Sequence, residues 1–209
     1  MMSHITAADE AIIPYQKEGV KKDIDHTVVA IDENDARKLF MIARNRLVNI
    51  NHWHEYAKPV TAVFRLTDGF GNEVDRTVET GDHLRIDLPG PGNAEGGGYD
   101  WVRVEAIEDR SAPDGPAEYV AFRVRPTSDP KKQGENVAHF LNDHSTSTFV
   151  LMRDGREVTA AVFSRNEVAN TETTAITDKV RNTVVAATAV LGFSNIQWKN
   201  LVKGILDNL

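Results

Sequence analysis

Between residues 62 and 164 apolar side chains return at every second position in six separate runs, a pattern that makes the middle of this chain a sheet. Ala62, Phe64 and Leu66 alternate with Val63, Arg65 and Thr67, and further runs follow at His83 to Leu88, Asp100 to Glu108, Glu118 to Arg125, Ser147 to Arg153 and Glu157 to Ser164. Arg153-Asp154-Gly155-Arg156 joins the last two, and its Asp-Gly pair tolerates the positive φ angles of a tight hairpin. Asp68-Gly69-Phe70-Gly71-Asn72 supplies similar turn chemistry after the first run. Connections of this kind predict antiparallel pairing.

On both sides of the sheet region the period changes. His26 to Ile31 is a short run rich in β-branched residues and predicts one more strand. Asp32, Asn34 or Asp35 then caps a helix in which Leu39, Ala43, Leu47 and Ile50 share a face, with Phe40 and Ile42 widening the stripe. That helix runs into the aromatic and imidazole-rich segment Asn49 to Tyr56 and stops before Pro59. After Asn170 the helical period returns, with Val180, Val184, Ala187 and Leu191 on one face until Gly192 interrupts them. Ser194 and Gln197 have capping-box spacing, and beyond them Trp198, Leu201, Val202, Ile205 and Leu209 form a second stripe while Lys199, Lys203 and Asp207 face out. The chain therefore ends in one kinked helix or in two that meet near Gly192. The fold class is α+β, with an arm over residues 1–24 and a single domain over 25–209.

Two connections are too long for simple turns: Pro89 to Gly98, and Pro126 to His144 with a helical turn expected at Val137 to Leu141. Segments of this length are lids and binding loops, or plain surface insertions.

Composition removes several functional classes. With no cysteine there is no disulfide framework, thiolate zinc site or cysteine nucleophile. No apolar run approaches the roughly 20 residues of a membrane-spanning helix, the longest being Val184 to Phe193. The N-terminal residues carry acids early and lack a basic start followed by an apolar run, so the expected compartment is the cytoplasm. A formal charge of −7 argues against general nucleic-acid binding. Arg103, Arg123, Arg125, Lys131 and Lys132 read either as outward strand residues or as a local basic groove.

His52 and His54 are the closest histidine pair, but residues two apart on a helix point to different sides and cannot share an ion. No metal site and no cofactor is expected; Trp53 is predicted to be buried, with the two histidines flanking it at the surface or at a cavity rim. No Gly-x-Ser-x-Gly elbow is present, and the glycines of 90–98 lack the Lys-Ser or Lys-Thr ending of a phosphate loop. What remains is acid-base work by His52, His54 or Asp100, beside Tyr99 and Arg103, if an apolar pocket shifts their proton affinities. Otherwise Asp100 satisfies loop donors and Arg103 lies on the solvent face.

Laid end to end, the reading is strand, helix, six strands and a long C-terminal helix. The segments Asn51-His52-Trp53-His54, Gly81 to Leu88 with its Pro89-Gly90-Pro91-Gly92 exit, Asp100-Trp101-Val102-Arg103-Val104 and Gly192 to Lys199 stand at matching places. This order resembles the helix-grip fold of the START-like (SRPBCC, polyketide cyclase-like) superfamily, including a bacterial group within it. The resemblance implies a curved seven-stranded antiparallel sheet wrapped around the C-terminal helix, with an apolar cavity of a few hundred Å³ between them. It further implies a small apolar partner, a lipid, polyketide or aromatic metabolite, with Trp53, Tyr56, Phe64, Tyr99, Trp101, Arg103, Phe122, Val184 and Thr188 as lining residues. Two other readings stay open: a cyclase- or dehydratase-type enzyme using His52, His54 or Asp100, and an interaction module with a solid core. The two long loops and the break at Gly192 depart from the family pattern.

Overall fold

The computed structural model describes residues 12–58, 62–88, 93–112, 115–132, 136–170 and 195–207. Strand β1 is Val20–Val29, followed by helix α1 (Glu33–Val48), a single 3₁₀ turn (Ile50–His52) and the short helix α2 (Trp53–Tyr56). Strands β2 (Val63–Thr67), β3 (His83–Asp87), β4 (Asp100–Arg110), β5 (Ala117–Pro126), β6 (Thr146–Asp154) and β7 (Glu157–Glu167) come next. Helix α3 covers 195–206. The strands form one antiparallel seven-stranded sheet in the order β1-β7-β6-β5-β4-β3-β2, so β1 and β2 are its edges. Among the described residues no helix is long and apolar enough to cross a membrane.

The expected helix α1 starts at the Asp32 cap, whose carboxylate accepts from the Asp35 amide at 2.9 Å. Its buried stripe is Ala36, Phe40, Ala43, Leu47 and Val48. Ile42, expected to widen that stripe, is 43% exposed, because the helical period carries it round to the side away from Ala36, Phe40, Ala43 and Leu47. Strand β1 begins six residues before the run that predicted it and ends at Val29, short of Ile31. It is half-exposed along its length, and Lys21, Lys22, Asp23 and Asp25 mask its alternation. The Asp68 to Asn72 turn is present, the Gly71 amide donating to the Asp68 carbonyl at 3.0 Å, but the chain adds a bridge at Glu73 and nine more residues before β3 starts. The Asp154-Gly155 hairpin is as expected, with Asp154 opposite Glu157 and Gly155 at φ 54°.

One face of the sheet, the inner face, is covered by the helices. Phe64, Leu66, Leu84, Val104, Phe122 and Leu151 on it share a core with Phe40 and Trp53 and with Leu201, Val202, Ile205 and Leu206 of α3. The α3 stripe is thus the one read from Trp198 to Ile205, while Ser194, Leu209, Gly192 and the run from Val180 to Leu191 lie outside the described residues. Two devices dock α3. Gly204 passes so close to Tyr56 that a Cβ would collide with its carbonyl. Arg46 donates to the carbonyls of Gly204, Ile205 and Asp207 at 3.1, 3.2 and 2.8 Å, satisfying acceptors that a helix end leaves open.

The outer face carries a smaller cluster in which Ile12 packs on Tyr119, Ala121, Val150, Ala161 and Phe163, so the described part of the arm lies across the sheet. Also on this side, Arg123 and Arg125 both donate to Glu105, the extra residue of a bulge between Val104 and Ala106. Lys132 donates to the carbonyls of Ala94 and Glu95. Three of the five basic residues that a groove would need, Arg123, Arg125 and Lys132, are thereby engaged within the protein.

Glu118 and Arg153 face each other across β5 and β6 with side chains 1% and 0% exposed. Arg153 Nε donates to Glu118 Oε2 at 2.6 Å, and its remaining N–H groups reach the carbonyls of Gly115, Pro116 and Gly155. Removing one partner strands a buried charge, so Arg153→Met is predicted to lower the unfolding free energy in urea by about 3–5 kcal/mol. A loss below about 1 kcal/mol, the range of surface pairs, would show that the pair is not the clamp of this hairpin.

Candidate functional site

At one end of the inner face the sheet and α3 leave a partly open cavity of about 60 Å³. Its apolar wall comes from neighbouring strands: Ala62 and Phe64 before and on β2, Leu84, Ile86 and Leu88 at β3, Val102 on β4, Val124 and Pro126 on β5, Phe149 on β6. Alternation puts these side chains on one face, which is why the period-two runs encode the wall. Trp198 and Gln197 close it from α3, and His139, Phe140 and Leu141 close it from the segment after β5.

The space is far smaller than the few hundred Å³ expected, because aromatic rings occupy most of it. Trp53 sits at 0% exposure, with ring centroids of Phe149, Phe64, Phe122 and Trp198 at 5.0, 5.2, 6.1 and 6.5 Å. Its indole N–H donates to the Leu47 carbonyl at 3.0 Å, tying the cluster to the end of α1.

The segment 137–142 is a strap and not the expected helical turn. The Ala138 amide donates to Thr127, the Ala138 carbonyl accepts from Trp101, and Leu141 bridges to Ala169. Side chains complete the stitching: Asp100 Oδ1 accepts from the Phe140 amide at 3.0 Å, and Asn170 Nδ2 donates to the carbonyls of Val137 and His139 at 3.2 and 3.1 Å. A helical turn would leave these partners on β4 and after β7 without their bonds.

Strict alternation would put Glu167 on the outer face with Ala161 and Phe163. Opposite the arm end of β1, however, the register slips between Val20 and Lys22, and Asn166 adopts φ 56°, a conformation Asn tolerates better than most residues. Glu167 instead lines the cavity, where Lys22 Nζ lies 2.9 Å from its Oε2.

Of the lining residues expected from sequence, Phe64 lines the cavity, and Trp53 and Phe122 belong to the aromatic cluster beneath it. Tyr56 lies in a separate polar cleft beside Arg46 and Lys203. Tyr99 sits under the Arg85 guanidinium at 4.6 Å, Trp101 is buried on the outer side with its indole N–H on the Gly96 carbonyl, and Arg103 is exposed. Val184 and Thr188 lie outside the described residues. His52, His54 and Asp100 do not line the cavity together. His52 Nδ1 is 2.7 Å from Glu55 on the surface, and His54 Nδ1 is buried without a hydrogen-bond partner among the described residues. Among those residues no cluster of His, Asp and Glu is arranged to hold a metal ion.

His139, Glu167 and Gln197 were missed by sequence reading, because each reaches the cavity through a long-range feature: the strap, the bulge, the docking of α3. The signal that was present is the His139-Phe140-Leu141 triplet, whose bulk is unusual for a plain surface insertion.

Burial raises the Asp100 pKa from 3.8 to about 6, against the lowering effect of its bonds from Asn93 and Phe140. A carboxyl whose folded pKa exceeds its unfolded value makes the fold less stable as pH rises through the interval between them. Asp100→Asn keeps an acceptor for Phe140 and is predicted to raise stability at pH 8 by up to about 3 kcal/mol, the gain vanishing near pH 4. Thermal unfolding at the two pH values measures it, and a gain equal at both would refute the assignment.

No protein-family model matches the sequence, and no curated protein does. Among solved structures, the chain is similar to Ara h 8.0201 at 12% identity and a TM-score of 0.37, over 90% of this chain and 100% of that one. It is similar to truncated norcoclaurine synthase from Thalictrum flavum at 10% identity and 0.39, over 94% and 100%. Its similarity to the di-domain ARO/CYC BexL is 12% and 0.42, over 90% of this chain and 46% of that one. Likenesses of this size carry no argument about ligand or reaction. The strand order and the helix held against the inner face are the chain's own, and in architecture it is a helix-grip protein.

Proposed function

We propose that the protein binds a small apolar molecule, or the apolar end of a larger one, in the cavity between the inner face of the sheet and α3. The observation that carries this reading is an open space walled by Phe64, Leu84, Ile86, Val102, Val124 and Phe149 on a well-packed aromatic base. Solid packing is the rule in protein interiors, so a persistent apolar void at the edge of so complete a core is a binding feature. Size limits the guest. An apolar cavity of about 150 Å³ takes a benzene ring, whereas the 60 Å³ here suits a short or branched chain end whose remainder lies at the open side.

A cyclase- or dehydratase-type reaction would need two wall groups able to exchange protons. His139 and Glu167 are the titratable ones in the described wall, and the first is held neutral while the second is paired with Lys22. Binding without turnover is therefore the preferred reading.

Filling the cavity tests it. Val124→Phe fills the space where the guest would lie, and the affinity for the short ketone 2-hexanone, followed by nuclear magnetic resonance titration, is predicted to fall by about tenfold or more. Equal affinity in wild type and variant, with both folded, would place the ketone elsewhere and remove the cavity as the binding site.

A further inference from the structure

The described wall of the cavity is apolar apart from His139, Glu167, Ser147 and Gln197. The imidazole of His139 is the best defined of the four. It is 5% exposed, stacks on Phe140 with ring centroids 4.3 Å apart, and accepts the Leu141 amide on Nδ1 at 3.0 Å. Burial drives its pKa from 6.5 down to about 3, with the Leu141 bond opposing, so the ring is neutral at physiological pH. A neutral imidazole that accepts on Nδ1 carries its proton on Nε2. Nε2 has no hydrogen-bond partner among the described residues, and it does not belong to the buried orphaned atoms. The donor therefore opens onto the cavity that His139 lines.

We infer that His139 is the specificity-determining residue of this cavity, its Nε2–H donating to a neutral acceptor oxygen on the guest, so that the ligand class is an apolar molecule bearing a ketone, ester or ether oxygen. This rests on the binding reading above and adds to it the polar group the guest must carry. A pure hydrocarbon covers the donor without satisfying it, and sites built around a hydrogen bond discriminate against analogues that lack it. A carboxylate is disfavoured for a different reason. The ring offers no charge, and the Glu167 carboxylate in the same wall is matched by Lys22, leaving no spare cation among the described wall residues for an anionic head.

Three probes of nearly equal shape separate the possibilities: 2-hexanone, its alkene isostere 2-methylhex-1-ene, and hexanoate, each titrated directly and followed by nuclear magnetic resonance. In the wild-type protein the ketone is expected to bind about 3- to 10-fold more tightly than the alkene, the range of one net hydrogen bond, and more tightly than hexanoate. His139→Asn retains an acceptor for the Leu141 amide through its side-chain oxygen but is too short to present the Nε2 donor. In that variant the ketone and the alkene should bind alike. Nitrogen-15 spectra of the wild-type imidazole supply a second readout that needs no variant: an Nε2–H signal that shifts with ketone and not with alkene. Equal binding of ketone and alkene by the wild type, a preference that survives His139→Asn, or a proton found on Nδ1 would each overturn the inference while leaving the apolar cavity intact. If none of the three probes shifts the signals of the cavity wall, the binding reading itself falls.

Discussion

Trp53 is the side chain on which the rest of this structure depends. Its ring meets Phe64 of β2, Phe122 of β5, Phe149 of β6 and Trp198 of α3, so it touches both layers of the fold at once. Its one polar atom is satisfied by Leu47, which makes so large a ring tolerable at full burial. Truncating a buried aromatic of this kind costs about 3–5 kcal/mol in cores generally. Here it would also remove the surface on which α3 rests. The same ring sets the size of the cavity: sheet and helix stand apart at one end, and the aromatic cluster fills all but the last part of the gap.

The strap over 137–142 then closes that remaining part, and the way it is held explains the buried polar residues around it. A segment with no regular structure of its own brings backbone donors and acceptors into a place without water. Asp100 and Asn170 answer that need, one accepting from Phe140, the other donating to Val137 and His139. Asp100 is destabilising as a carboxylate in that setting, as its raised pKa shows, yet without an acceptor there the Phe140 amide would be orphaned. The wall is thus fixed from both flanks, and His139 with it.

What the sequence made legible follows from how far each signal reaches. The six central strands and the stripe of α3 were readable because burial on one face imposes a local period, and the Asp32 cap and the Asp154-Gly155 turn because their chemistry is contained in a few residues. The start of β1 was not, since an edge strand carrying Lys21, Lys22, Asp23 and Asp25 shows no apolar alternation and gains its place from pairing with β7. The cavity was readable only as a consequence of fold. Phe64 was found because it sits on a strand; His139 and Glu167 were not, because nothing local says that a loop is stitched across a sheet end or that a strand changes face. Tyr99 and Trp101 failed as lining residues for the same reason in reverse. They flank inward-facing Asp100 and Val102 in sequence and therefore point the other way.

The end of β7 joins the arm, the sheet and the cavity in two consecutive residues. Asn166 Oδ1 accepts from the Lys17 amide at 2.7 Å and the Glu18 amide at 3.2 Å, and its Nδ2 donates to the Tyr15 carbonyl, so this one side chain fastens the arm. Its left-handed backbone turns the next residue, Glu167, into the cavity wall. Gly19 is needed at the same place: at φ 64° it passes so near the Glu167 carbonyl that a Cβ would overlap it. The bulge is therefore held from outside by the arm and used on the inside to place a carboxylate, so the two cannot vary independently. Residues 15–18 outside the sheet and the Glu167 carboxylate in the cavity wall are thus tied to one side chain and one bulge, which is the physical element that connects them.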